Sequence, residues 1–219
     1  MQGRRSGRRP HATAGARCAL AAFCLLCSAA GAGTYAEEAP AVAEPPAHHH
    51  RYAVPSTVRS LASYSVPDLA MIRDDGQAVS LREELDDGAP VVLDFIYTTC
   101  TTVCSMSSRT FARLQQLLGT GHAPIHLASI SIDPEQDTPE HLTGYAQKFG
   151  AGPQWRQYTG SLQASLAAQQ AFGVYRGDKM SHNPVTLVRT APGRDWVRFD
   201  GFATAGELLQ ELRTRTAAR

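Results

Sequence analysis

An α/β fold with a central mixed β-sheet flanked by helices is predicted by three observations on the 219-residue chain. Continuous apolar runs of strand length alternate with segments of helical period. Two further strand signals bracket a Pro-Gly turn, and an amphipathic segment follows them near the end. Helix-linked strands run parallel and a hairpin runs antiparallel, so a sheet holding both is mixed.

The first clear element is Val91 to Tyr97, apolar except at Asp94, as in a strand covered on both faces. Beyond it, Val103, Met106, Phe111, Leu114, Leu117 and Leu118 recur close to the helical period, and Gly119 is placed to end that helix. Ile125 to Ile132 is the next buried strand, stopped at Asp133-Pro134. Thr138-Pro139-Glu140 supplies an N-cap, a proline at the first helical position and an acid in the first turn of a helix reaching about Phe149.

Leu162 to Phe172 is an inserted helix. Val185 to Arg189 and Trp196 to Phe199 are strands around the turn at Pro192-Gly193. Thr204-Ala205-Gly206-Glu207 resembles a capping box, opening a last helix with Leu208, Leu209 and Leu212. The order βα, βα, helical insert, hairpin and α is that of a thioredoxin-like fold.

With 21 basic against 20 acidic residues, the charge balance argues against nucleic-acid binding. Three regions are expected: an export segment over 1–36, a tether over 37–55 and the folded domain over 56–219. Arg4, Arg5, Arg8, Arg9 and Arg17 all precede the first acid, Glu37, and the apolar stretch Cys18 to Ala32 follows those arginines. Small residues then gather from Ala29 to Ala36, the layout of a secretory signal with cleavage near Ala32 or Ala36. The apolar stretch is short for a span of roughly 20 residues, so a cleaved signal is favoured over a retained membrane anchor. A bacterial periplasm is the expected compartment. The tether, rich in Ala and Pro, carries His48, His49 and His50, which either stay solvated or collect metal.

Removal of the export segment takes Cys18, Cys24 and Cys27 with it and leaves only Cys100 and Cys104. One close pair is too little for a disulfide scaffold, and a bridge closing so short a loop stabilises little. The pair sits four residues apart at a strand-to-helix junction. Positions i and i+4 share a helix face, roughly 6 Å apart along the axis, within reach of a disulfide or of one metal ion. Helix N-terminal amides should lower the pKa of at least one thiol.

Two thiolates need a further ligand to fix a metal, and His182, just ahead of the strand Val185 to Arg189, is the best placed candidate. Soft sulfur with an imidazole favours Cu(I), whereas closed structural zinc usually takes four ligands. His122, His126 and His141 are expected to be structural. Asp133, Glu135 and Asp137 are expected to form a turn and prepare the following helix N-terminus rather than hold metal. Trp155, Trp196 and Phe199 are assigned to the core.

The segments FIYTTCTTVC (Phe95 to Cys104) and SISIDPEQDTPE (Ser129 to Glu140), with His182 ahead of a strand, resemble the Sco/SenC family of copper-binding thioredoxin-like proteins. The likeness runs from about Tyr64 to Leu212. It implies a copper ion, Cu(I) or alternatively Cu(II), held by Cys100, Cys104 and His182. It further implies delivery to the dinuclear copper centre of cytochrome c oxidase, without turnover of a substrate. The expected partner is the apo form of the copper-bearing oxidase subunit, with other periplasmic copper chaperones or thiol reductases as further partners, and the expected state is a monomer. Ser105 stands where that family usually has Pro, and Ser181 where many members have Asp, which removes one source of orientation for His182. The alternative is a thiol-disulfide oxidoreductase using Cys100 and Cys104 as its redox pair on an oxidase subunit or another exported client. A peroxidase-like reading is disfavoured, because the proline and spacing ahead of a peroxidatic cysteine are missing.

Overall fold

A computed structural model describes residues 57–119 and 124–216 of the chain. The expected export segment 1–36 with Cys18, Cys24 and Cys27, the tether 37–55 with its histidines, and His122 lie outside the described residues. The strands are β1 (Val58–Ala62), β2 (Ala70–Arg73), β3 (Ala78–Ser80), β4 (Val91–Ile96), β5 (His126–Ser131), β6 (Trp155–Gly160), β7 (Val185–Arg189) and β8 (Trp196–Asp200). The helices are α1 (Leu81–Leu85), α2 (Val103–Leu118), α3 (Pro139–Lys148), α4 (Leu162–Ala171) and α5 (Ala205–Thr216), with a 3-10 turn at Lys179–Ser181. These strands form one mixed sheet in the order β1-β8-β7-β4-β5-β6-β2-β3.

All six residues of β4 are buried, as its apolar run requires. It pairs parallel with β5 and antiparallel with β7, so it carries both halves of the thioredoxin-like arrangement. Successive side chains of a strand face opposite ways, and here Leu93 and Phe95 join one core cluster while Val92 joins the other. The first cluster contains Phe172 and Trp196, and the second contains Phe111 and Trp155. Trp155, Trp196 and Phe199 are all buried, as expected.

The helix signals hold in detail. Gly119 adopts a φ of +70° after α2, and its N–H donates to the Gln115 carbonyl at 3.1 Å. At α5, the Glu207 N–H donates to Thr204 Oγ1 at 3.2 Å while the Glu207 carboxylate accepts from the Thr204 N–H at 2.7 Å, a complete capping box.

Two features depart from expectation. The insert between α3 and the hairpin is not helix alone, because β6 precedes α4 and extends the parallel ladder beside β5. Its sequence, WRQYTG, buries Gln157 and Thr159 among its apolar residues, so it lacks both an apolar run and a clean alternation. The antiparallel additions β1, β2 and β3 were not expected either. They are short, β1 lies at the sheet edge with four of its five residues exposed, and hydrophobic pattern has little hold there.

Candidate metal centre

Register places the candidate residues at one end of the sheet. Because β4 and β5 are parallel, the loops leading into α2 and α3 emerge side by side. Because β7 runs antiparallel to β4 with Thr186 opposite Asp94, the residues just before β7 lie at that same end. His182 sits three positions ahead of Val185 and so shares an end of the sheet with the cysteine loop.

The cysteine loop begins with a turn in which the Cys100 N–H donates to the Tyr97 carbonyl at 3.1 Å. One helical turn later, the Cys104 N–H donates to Cys100 Sγ at 3.3 Å. Thr102 occupies the N-cap of α2 but makes no side-chain cap bond, and no acid lies in the first turn. The Cys100 sulfur therefore takes the place that a cap oxygen usually fills. Ser105, at the position where the resemblance implied Pro, donates its hydroxyl to the Cys100 carbonyl at 3.3 Å and ties the helix start back to the loop.

Both cysteines are free thiols and buried, with exposures of 6% for Cys100 and 1% for Cys104. Burial pushes the Cys100 thiol up, but N–H groups at the start of α2 and the Tyr97 hydroxyl outweigh it, and the net shift is downward. Burial dominates at Cys104 and, with the neighbouring Cys100 sulfur, raises its thiol far above the ordinary range. The helix start thus activates one thiol of the pair. Tyr97 stays a proton donor, pushed up to about 12 by burial and then by Cys100.

The loop is braced from its neighbour. Asp137, fully buried, accepts from the Thr98 N–H at 3.1 Å, the Thr98 hydroxyl at 2.6 Å and the Ser131 hydroxyl at 2.5 Å. Asp133 pairs with Lys179 at 2.6 Å, and the Lys179 ammonium lies 5.9 Å from the centre of the Tyr97 ring. The expectation that these acids prepare the N-terminus of α3 is corrected here: capping falls to Thr138, and Asp137 fixes the cysteine loop instead. A buried carboxylate needs several donors, and Thr98 and Ser131 supply them. Its only sequence signal is a place in the quoted SISIDPEQDTPE segment.

His182 follows the 3-10 turn, and its Nε2 lies 3.0 Å from the Phe95 carbonyl oxygen. A carbonyl only accepts, so Nε2 carries the proton and Nδ1 keeps the free lone pair. Burial lowers the imidazole pKa and so favours the neutral ring, with the Phe95 bond opposing it. It borders a cleft of about 330 Å³ shared with Asp133, Tyr175 and Lys179. His126 is held by Asp87 at 2.8 Å, and His141 Nδ1 meets the Gln136 carbonyl at 2.6 Å, which matches their expected structural roles.

The structure therefore brings Cys100 and Cys104 into contact and His182 to the same sheet end. It does not close the three into a cluster: among the described residues, no group of three or more His, Cys, Asp or Glu side chains is arranged to hold a metal ion. Two soft sulfurs and a neutral imidazole nevertheless form a donor set suited to Cu(I).

A sequence profile of the SCO1/SenC family matches residues 61–216. A SCO1 protein homolog of Bacillus subtilis is 29% identical over 110 residues, covering 50% of this chain and 56% of that protein. The chain thus spans about half the length of the curated relatives it matches. Among solved structures, Arabidopsis thaliana ScoI with copper bound superposes with a TM-score of 0.57 at 23% identity, over 68% of this chain and 96% of that one. BsSco, a member of the Sco family of cytochrome c oxidase assembly proteins in which a disulfide switch was identified, gives a TM-score of 0.61 at 23% identity, over 74% and 99% of the two chains. These likenesses confirm the thioredoxin-like fold. The profile spans both the cysteine loop and the histidine loop, and the chain belongs to the SCO1/SenC family.

Proposed function

We propose that this protein is a periplasmic copper chaperone that binds one Cu(I) through Cys100, Cys104 and His182 Nδ1 and passes it to the dinuclear copper centre of cytochrome c oxidase. The observation that carries this reading is the register of β4 and β7, by which His182 and the two thiols share one end of the sheet. The copper in Arabidopsis ScoI and the oxidase-assembly family of BsSco support it by likeness. The arginine-rich leader supports export, and the apo copper-bearing oxidase subunit is the recipient.

Loading displaces the thiol protons, since thiolates are the ligands. The lowered Cys100 pKa favours loss of its proton, whereas the proton of Cys104 leaves to solvent as the metal displaces it. Oxidation of the pair to a disulfide removes both sulfur ligands and two electrons, so a loaded site requires the reduced state. The test is anaerobic Cu(I) titration of the reduced full-length chain against a competing chelator. About one equivalent is expected, with affinity lowered about tenfold or more in His182→Ala and about a thousandfold or more in Cys100→Ala. Unchanged binding in Cys100→Ala would sink the proposal.

The second reading, a thiol-disulfide oxidoreductase, is favoured by the inequality of the two thiols. Cys100 is the activated and more accessible sulfur, and Cys104 is the buried partner that would close the disulfide. Failure of the oxidised pair to exchange with a dithiol client would remove this reading.

A further inference from the structure

The chain has four methionines: Met1, Met71, Met106 and Met180. Met71 is a core residue at 1% exposure, whereas Met180 stands at 75%, the most exposed large apolar side chain among the described residues. Burying a side chain of this size yields roughly 1.5–3 kcal/mol, so packing gives no reason for Met180 to face solvent. Its surroundings are ordered. The Met180 N–H donates to Asp178 Oδ1 at 2.9 Å, and the His182 N–H donates to the Lys179 carbonyl at 3.1 Å. One tight turn thus carries a thioether outward and the imidazole inward, two residues apart.

Tyr97 connects this thioether to the cysteines. Its hydroxyl donates to Met180 Sδ at 3.9 Å, and the carbonyl of the same residue accepts from the Cys100 N–H at 3.1 Å. The Lys179–Asp133 pair holds the turn against the Tyr97 ring. A soft sulfur therefore stands at the outer edge of the proposed copper site, against the tyrosine whose carbonyl holds the Cys100 turn. Thioether sulfur is selective for Cu(I), as thiolate is, but it carries no proton and binds more weakly.

We propose that Met180 is the transit ligand of this site: its Sδ takes Cu(I) on the way in and holds it on the way out. The inference rests on the copper reading above. On exit, the Met180 Sδ–Cu bond forms as one of the Cys100, Cys104 or His182 bonds breaks, and the acceptor's ligand then displaces the thioether. Copper stays Cu(I) throughout and no electron moves; the thioether itself carries no proton, and a cysteine sulfur that releases copper takes a proton back from solvent. Met106 provides the control. It too is exposed and near a candidate ligand in sequence, but i and i+2 on α2 do not share a face, so it points away from Cys104.

The test uses full-length chains loaded anaerobically with Cu(I) and mixed with excess bicinchoninate, a Cu(I) chelator. Met180→Leu should release copper about tenfold more slowly than wild type with equilibrium affinity changed less than about threefold, while Met106→Leu matches wild type. In chains carrying ¹³C-methyl methionine, Cu(I) added to His182→Ala should shift the Met180 methyl signal and leave that of Met106 in place. Release from Met180→Leu within about twofold of wild type, faster release with weakened affinity, or an unmoved Met180 methyl overturns the inference. A wild type that loads about one ion while Met180→Leu behaves identically overturns this inference alone; a wild type that loads none overturns the copper reading as well.

Discussion

Two strand-to-helix junctions leave the same end of the sheet side by side, and they treat their helix N-termini in opposite ways. At β5–α3, Thr138 accepts from the His141 N–H, Pro139 fills the first position and Glu140 adds a negative charge to the first turn. At β4–α2, none of these devices is present, and the first-turn amide of Cys104 meets the sulfur of Cys100. The difference teaches that a helix start left without an oxygen cap is available to stabilise a thiolate. The second junction also braces the first, since Asp137 from its loop holds Thr98.

The largest effect that can break this comparison is at the sulfur itself. Cys100→Ala should lower Cu(I) affinity by about a thousandfold or more, measured by chelator competition, because a thiolate ligand is lost outright. Next comes reactivity. At pH 8, iodoacetamide should modify Cys100 at least about a hundredfold faster than Cys104, read by peptide mass spectrometry, because one thiol is activated and the other is buried and protonated. The sign follows from linkage: the depressed Cys100 pKa contributes stability at alkaline pH that is lost as pH falls through its folded value. Equal labelling of the two cysteines would remove the asymmetry on which the comparison rests.

Smaller effects sharpen it. Asp137→Ala should destabilise the domain by about 3 kcal/mol in denaturant unfolding, since it strands the Thr98 and Ser131 donors, and it should also weaken Cu(I) binding by loosening the loop. Thr138→Ala should cost about 1 kcal/mol and leave copper affinity unchanged, as expected of a structural cap. Thr102→Ala should cost less than about 0.5 kcal/mol, because its side chain caps nothing. A Thr102 cost equal to that of Thr138 would mean that the two junctions are capped alike.

Asp94 is the one carboxyl within the buried strand β4. It is fully buried, its carboxyl raised to about 7 by burial against the bond from Ser129. A raised folded value means that stability falls as pH climbs from the ordinary carboxyl range towards neutrality. Asp94→Asn should flatten that decline in thermal unfolding across the same window.

Much of the fold was legible in the residues. Apolar runs marked β4, β5 and β7, the 3.6-residue period marked α2, and Thr138-Pro139-Glu140 and Thr204 to Glu207 marked helix starts, because burial and capping act over a few neighbouring positions. The cysteine pair and His182 were legible through residue chemistry and resemblance. Hidden were β6, whose buried Gln157 and Thr159 break any apolar pattern, and the exposed edge strand β1. Also hidden were Asp137 as the brace of the cysteine loop and Met180 against Tyr97, since each acts on residues far along the chain.

The sequence by itself determined the alternation of elements, the two thiols at a helix start and the candidate imidazole. Tertiary structure alone decided that Cys100 rather than Cys104 is activated, that Asp137 serves the neighbouring loop and that Met180 stands outside while His182 turns in. The reason is physical: pattern and capping depend on neighbours in the chain, whereas desolvation, hydrogen-bond donors and strand register depend on neighbours in space.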